Sequence, residues 1–349
     1  MLSNQTQIRF KRIESFLMKD GFNGFTKRDL FIMNFIKKGW GQDIASLSNM
    51  AEMLVNCSFQ YSDSIEKYRI LMKQVVRRAV HPKVNPYKKK ITDVKKFGKF
   101  NYYLEHLNII LGSYRVIADD DKCVILNERI SQHLYESSMM YDNFHADLLP
   151  HVKMKWSADQ AAIIYSLWLF DKNNDTAIST DLQKKWLEYM DSEATHEKTG
   201  LYICEVLGTR RYSNQPRGCA LSYMIHYMSK FNNKKAKRQW SLYKKYMMRD
   251  YFICSAFREY LPEFNHRMTP DSGPILFGNG VAATGLGLNA ASSMEDWNTY
   301  KKILKLMNIF GYPLNGIVKF VGPNIVTGIG TDLLSSSIWL NAETKISWY

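Results

Sequence analysis

The sequence predicts an all-α fold: an (α/α)6 toroid or barrel in which six inner helices are wrapped by six outer ones. Two observations carry that prediction. A helix-start signal recurs about every 57 residues, near Asp43, Asn101, Ser157, Asn214, Ser272 and Gly330, and each opens a segment rich in small and apolar residues. After each of the first five comes a charged, amphipathic segment. A helix that is apolar nearly all round is buried, whereas one with a charged stripe lies at the surface. Strict alternation of the two kinds describes two concentric rings.

Residues 1–24 read as an N-terminal extension to a single barrel domain spanning 25–349. Phe25 to Lys38 is amphipathic and serves as the first outer helix, which brings the count to six of each kind. Ser157 with Gln160 matches a capping box and opens Ala158 to Phe170 (ADQAAIIYSLWLF), apolar on every face and paired with the charged Asp181 to Met190. Asn214 as cap and Pro216 at the first helical position open Pro216 to Phe231, followed by the basic Lys234 to Met248. Asp271 or Ser272 caps and Pro274 starts the fifth inner helix, Gly273 to Ala291, paired with Met294 to Phe310. Its glycine/alanine run lacks the Gly-Lys-Ser/Thr ending of a phosphate loop. Small residues there let inner helices approach closely.

The connections are unequal. Inner-to-outer turns are short: Asp119-Asp120-Asp121, Asp171 to Ser179, Asn232-Asn233 and Ser292-Ser293. Outer-to-inner connections run to roughly 20 residues, and long connections in a compact domain are usually functional. They fall around 81–100, 139–156, 192–213, 250–271 and 311–330, and all lead into the N-termini of inner helices. One rim therefore collects the loops, and the site is expected there.

Composition narrows the function. Across 349 residues, 46% hydrophobic and 13% aromatic content fits a sizeable core. The net charge of +14 is concentrated on the outer helices and on the loop Pro82 to Phe100. No zinc module, RNA-binding signature or recognition helix accompanies it, so a solvated surface is expected rather than a nucleic-acid partner. No apolar run reaches the length of about 18 residues that a membrane span needs. The start, MLSNQTQIRFKRIESF, has no apolar core of a signal peptide. The five cysteines are an odd number without paired spacing, which fits a reducing compartment. A cytoplasmic protein is expected, with its oligomeric state left open.

Several rim residues can carry chemistry. Asp159 sits in the first turn of an inner helix, where the helix dipole stabilises a carboxylate, with Trp156 as an aromatic wall. Arg217 projects from the next inner helix, and a cation at a helix N-terminus calls for an acidic neighbour or an anionic substrate. Cys219 reads as a nucleophile or acid, or as inert packing. The loops add Tyr141, His145, Arg258 and Glu259. Carboxylates from different hairpins meeting over one cavity divide acid and base roles when burial and repulsion split their pKa values. Asp159, Asp271 and Glu259 are the candidates, with Tyr141 as a proton relay, and Trp156, Arg217, His145 and Arg258 as substrate contacts. No histidine, cysteine or carboxylate set has metal-ligand spacing, so no metal is expected.

At Trp156-Ser157-Ala158-Asp159-Gln160, Pro216-Arg217-Gly218-Cys219, Asp271-Ser272-Gly273-Pro274 with its glycine/alanine helix, and Leu334 to Trp348, the chain resembles the linalool dehydratase/isomerase-like (α/α)6 family. It is similar, more distantly, to six-hairpin glycosidases. The resemblance covers roughly residues 100–349 and implies cofactor-independent acid–base chemistry that removes or moves a hydroxyl group. Three functions follow. The first is a dehydratase or isomerase acting on a C–O bond of a hydroxylated small molecule. The second is a glycan-acting hydrolase or lyase with two carboxylates across the cavity. The third is a binding protein that keeps the fold without the chemistry.

Overall fold

A computed structural model describes residues 4–19, 40–88, 91, 97–206, 215–264, 268–269, 271–311 and 333–349. The expected helix over Phe25 to Lys38 and the start signals at Asn214 and Gly330 lie outside the described residues.

Twelve α-helices are described: α1 (Asn4–Met18), α2 (Trp40–Gln60), α3 (Ile65–Ala79), α4 (Asn101–Ile117), α5 (Val124–Met139), α6 (Ser157–Asn174), α7 (Ile178–Ser192), α8 (Gly218–Phe231), α9 (Asn233–Met247), α10 (Val281–Ser293), α11 (Trp297–Gly311) and α12 (Leu333–Glu343). The even-numbered helices close a ring. Each packs on the next from α2 through α12, and α12 returns to α2. The odd-numbered helices α3, α5, α7, α9 and α11 each pack outside the inner helix before them. Residues 4–18, assigned from the sequence to an extension, form α1, which packs on α12 and α3 with Ile13 and Leu17 in the core. The burial of that apolar stripe is what draws the segment onto the barrel.

The two rings differ as their sequences require. In α6 every residue from Ala161 to Leu167 is buried, because neighbours cover it on all sides. In α9 the buried set is Ala236, Gln239, Trp240, Tyr243 and Met247, one stripe at helical spacing. Turns at the lower rim are capped by side chains. Asp171 accepts from the Ile178 and Ser179 backbone N–H groups, and Asn232 accepts from Lys235 N–H. Near the barrel axis, Glu52 of α2 accepts from the hydroxyl of Tyr165 on α6 and the amide of Asn341 on α12, and it pairs with His226 of α8 at 3.4 Å. Lys345 reaches the same histidine at 3.0 Å. Despite burial, His226 and Lys345 hold the Glu52 carboxyl well below the usual range.

The long connections carry short antiparallel strands at the upper rim. β1 (Lys155–Trp156) pairs with β2 (Glu205–Val206), tying the loop before α6 to the loop before α8. β3 (Met248–Asp250) and β4 (Ser255–Phe257) form a hairpin, as do β5 (Ile275–Leu276) and β6 (Asn279–Gly280). The second hairpin corrects the expected start of the fifth inner helix. Gly273, Phe277 and Gly278 have φ of 59°, 51° and 80°, so the chain turns back on itself and α10 begins only at Val281. Asp271 is accordingly a loop residue and not a helix cap.

Two further local expectations change. The Ser157–Gln160 capping box does not form. The helix begins at Ser157 itself, whose N–H donates to the Cys204 carbonyl, while Gln160 Oε1 accepts from Ala146 N–H. Pro216 lies just outside α8, which starts at Gly218 with Arg217 in the cap position. The small residues act as expected. A Cβ on Gly287 would fall 2.7 Å from the Phe257 ring, so the glycine lets β4 lie against α10.

Candidate active site

The site is assembled where the segment that follows β4 crosses the start of α8. Gly218 N–H donates to the Glu259 carbonyl at 2.8 Å, and a Cβ on Gly218 would sit 2.0 Å from the Arg258 carbonyl oxygen. Only glycine permits that approach, and it seats Glu259 between Arg217 and Cys219. Glu259 is fully buried. Its Oε1 accepts from Arg217 Nε at 3.1 Å and from the Cys219 thiol at 2.9 Å, and its Oε2 accepts from Cys219 N–H at 3.2 Å. Burial pushes its pKa up to about 7, against the pull of Arg217 and the thiol hydrogen bond.

Arg217 is itself buried and committed on every nitrogen. Besides Glu259, its Nη1 donates to Asp271 Oδ2 at 2.8 Å and its Nη2 to Thr269 Oγ1 at 2.7 Å. Asp271 stays open to solvent, with 60% of its side chain exposed. The cation at a helix start therefore has its acidic neighbours within the chain. Cys219 is buried in this cluster, and burial followed by the Glu259 charge pushes its thiol well up, which suits a hydrogen-bond donor and not a thiolate.

A second group of acids lies beside the first. Asp159, half-buried in the first turn of α6, is coupled to Glu105 of the adjacent α4, which is completely buried. Burial, and next the charge of Asp271, raise Asp159 to about 7. Burial, and next Asp159, raise Glu105 well above the usual range. Neither acid has an arginine or lysine partner among the described residues. Tyr102 and Tyr223, both half-buried, flank His106, the residue after Glu105, with ring centroids 5.0 Å and 6.3 Å from the imidazole. The Tyr102 hydroxyl donates to the Gly41 carbonyl at 3.2 Å, which brings the start of α2 and its Asp43 alongside. Burial lifts Asp43 to about 7. Trp156 closes one side, with its indole N–H on Glu205 at 3.4 Å and its ring against Ala158, Cys204 and Ala220.

The structure thus brings Asp159, Glu259, Asp271 and Arg217 together, with Trp156 at their edge. The other three expected members have different partners. His145 is buried, its Nδ1 on the Asn143 carbonyl and its Nε2 accepting from the Trp186 indole at 3.2 Å. Burial pushes its pKa down to about 3, so it is a neutral packing group and no substrate contact. Tyr141 gives its hydroxyl to Asp147 at 2.7 Å, in a separate cluster with Lys155 and Lys99. That commitment removes it as a relay for Asp159. Arg258 pairs backbone to backbone with Asn279, and its guanidinium lies beside Gly278 in the β5–β6 turn. Glu105 and the two tyrosines were not anticipated. The one available signal was a charged Glu105-His106 step inside an otherwise apolar inner helix. Among the described residues, no group of three or more His, Cys, Asp or Glu side chains is arranged to hold a metal ion.

No protein-family model matches the sequence, and comparison with curated protein sequences finds no match either. Comparison of folds does. A glycoside hydrolase family 76 mannosidase from Bacteroides thetaiotaomicron VPI-5482 superposes with a TM-score of 0.56 at 11% identity, over 98% of this chain and 97% of that one. The chain has the fold of the (α/α)6 toroids. A polysaccharide lyase matches with the same TM-score, 0.56, at 11% identity, over 98% and 97% of the two chains. An inactive variant of an α-1,6-mannanase of Salegentibacter sp. HEL1_6, altered at two adjacent aspartates and bound to α-1,6-mannotetraose, matches at 0.54 and 10% identity, over 98% and 99%. These neighbours carry the toroid part of the resemblance and not its dehydratase/isomerase part.

Proposed function

We propose that this protein is a glycan-cleaving enzyme, a glycoside hydrolase in which Asp159 is the general acid and Asp271 the general base or nucleophile. The observation that carries the reading is the contrast between these two carboxyls at one mouth. Asp159 is half-buried against a second carboxyl and holds its proton up to about pH 7, while Asp271 is exposed and paired with Arg217. Glycoside hydrolysis needs one carboxyl that donates a proton to the leaving oxygen and one that is ionised on the other side of the bond. A carboxyl whose proton is held by burial suits the first role, and an exposed carboxyl beside a cation suits the second.

Three considerations support hydrolysis of a glycan over the other readings. Elimination from a uronate needs a cation to neutralise the substrate carboxylate as charge develops. Arg217 is already committed to Glu259, Asp271 and Thr269, and no cation is among the groups that shift Asp159 or Glu105. Removal of a hydroxyl from a small molecule uses the same acid, but the exposed Asp271 and the half-buried Trp156, Tyr102 and Tyr223 fit an open, aromatic-walled mouth, and glycan-acting enzymes share the fold. A binding protein without chemistry would have its acids neutralised by salt bridges. Glu259 and Asp271 are both paired with Arg217, whereas Asp159 and Glu105 have no arginine or lysine partner among the described residues.

The mannanase was inactivated at adjacent aspartates. Here the adjacent aspartates Asp119 to Asp121 follow the C-terminal end of α4, where Asp119 pairs with Lys73. The acids of the mouth come instead from separate elements. Incubation with α-1,6-mannotetraose and a panel of other neutral and acidic oligosaccharides, followed by mass spectrometry, tests the assignment. Products carrying one added water are expected. Unsaturated products lacking it would show a lyase, and no cleavage of any member would reject the function.

A further inference from the structure

We propose that Glu105 is a positioning residue: it keeps its proton throughout the working pH range and donates it as a hydrogen bond to the Asp159 carboxyl, which sets how readily Asp159 gives up its own. The proposal rests on the reading of Asp159 as proton donor, but it can be tested without any substrate.

The argument begins with an unusual neighbourhood. Glu105 lies in the second turn of α4, a helix packed against α6, and none of its surface is exposed. A buried carboxyl without a partner is destabilising, and more so when it carries a charge. Yet neither Glu105 oxygen receives a hydrogen bond from any amide, hydroxyl or cation among the described residues. His106 Nε2 is 3.9 Å from Oε1, too far for a bond, and lies instead 3.3 Å from the Tyr223 hydroxyl. Burial depresses the His106 pKa to about 3, so it brings no charge. Among the described residues, the ionisable group coupled most directly to Glu105 is the Asp159 carboxyl on the adjacent α6.

Two carboxylates in contact inside a protein repel each other, so a proton must lie between them. Which group keeps it follows from position. Asp159 is partly open to the mouth and sits in the first turn of α6, where the helix dipole favours its anion. Glu105 is sealed and has neither advantage. The other ionisable groups facing the pair are Tyr102 on α4, Tyr223 and Tyr227 on α8, and Asp271 from the loop, while Glu52 on α2 acts on His106. None of these is a cation that would let Glu105 ionise. Asp159 therefore loses its proton first, and the Glu105 O–H is left pointing at the new carboxylate.

In the reaction, the Asp159 O–H bond breaks as its proton moves to the leaving oxygen. The electron pair stays on Asp159, and the Glu105 hydrogen bond stabilises the anion formed. No proton leaves Glu105. A hydrogen bond to a charged group contributes about 1.5–3 kcal/mol, equivalent to about a tenfold to hundredfold change in an equilibrium or rate.

Three variants test this. Glu105→Gln keeps shape and a neutral N–H donor, and should leave the alkaline limb of the pH–rate profile in place. Glu105→Leu removes the donor. It should shift that limb upward by about one to two units and slow turnover about tenfold to hundredfold. A purely structural role would slow turnover without moving the limb, or would affect both variants alike. The substrate-free readout is infrared spectroscopy at about pH 8.5, above the values near 7 of Asp43, Asp159 and Glu259. A protonated-carboxyl band should persist in the wild type and in Asp159→Asn, and vanish in Glu105→Gln. Absence of that band from the wild type overturns the proposal, as does a limb moved as far by glutamine as by leucine. If no glycan is cleaved while the band behaves as expected, the hydrolase reading falls and the protonation of Glu105 stands.

Discussion

Arg217 Nη1 lies 2.8 Å from Asp271 Oδ2 although 54 residues separate the two in the chain. The contact joins the start of α8 to the loop before the β5–β6 hairpin, and it holds the exposed Asp271 carboxylate beside a buried guanidinium. Asp271→Asn would keep the shape and one hydrogen bond to the guanidinium while removing the charge. Loss of a positioned acid or base typically costs about a hundred- to ten-thousand-fold in rate. A drop of that size in kcat, with an unchanged circular dichroism spectrum, is expected. Full turnover in the variant would remove Asp271 from the mechanism.

The pH profile should have its upper limb near Asp159. Activity requires the protonated form, so kcat/KM falls as pH rises through about 7. The linkage sign for stability is the same. The folded-state pKa is raised above the ordinary value of about 4, so folding gains stability from the bound proton below that value and loses it as pH rises toward 7. Melting temperature measured across this window should fall less steeply in Asp159→Asn than in the wild type. Parallel curves would show that burial does not perturb the group.

Gly218 makes a stability prediction separate from catalysis. A methyl group there would meet the Arg258 carbonyl at 2.0 Å and the Ala283 Cβ at 2.7 Å. Relief requires the Arg258–Glu259 segment after β4 to move off α8, and overpacking of this kind costs about 1–3 kcal/mol or more. Urea denaturation of Gly218→Ala should show a loss in that range. Because the same shift carries Glu259 away from Arg217, activity should fall with it. A variant as stable as the wild type would mean that the close approach is not rigid.

The rings were legible in the sequence and the site only in part. A run such as Ala161 to Leu167, without a charge on any face, has no soluble alternative to an inner position, and a one-sided stripe such as that of α9 has no buried one. Local signals near the rim were weaker because they serve two purposes. Asp271-Ser272-Gly273-Pro274 reads as a helix start, yet the same residue types make a turn, and the left-handed Gly273, Phe277 and Gly278 turned it into a hairpin. His145 looked functional because histidine often is, but its fate depended on Trp186, 41 residues away, donating to it. Glu105 was hidden in the opposite way. A single acid among apolar neighbours gives no periodic signal, and its meaning appears only when α4 packs against α6 and presents it to Asp159.

The most direct test of Asp159 as the general acid compares two leaving groups. An oligosaccharide cleaved by the wild type needs protonation of a poor leaving oxygen, whereas an activated aryl glycoside of the same sugar leaves as a stable phenolate without it. Asp159→Asn should lose about a hundred- to ten-thousand-fold on the oligosaccharide and retain most of its bond-breaking rate on the aryl glycoside. Equal losses on both substrates, or none on either, would contradict the assignment.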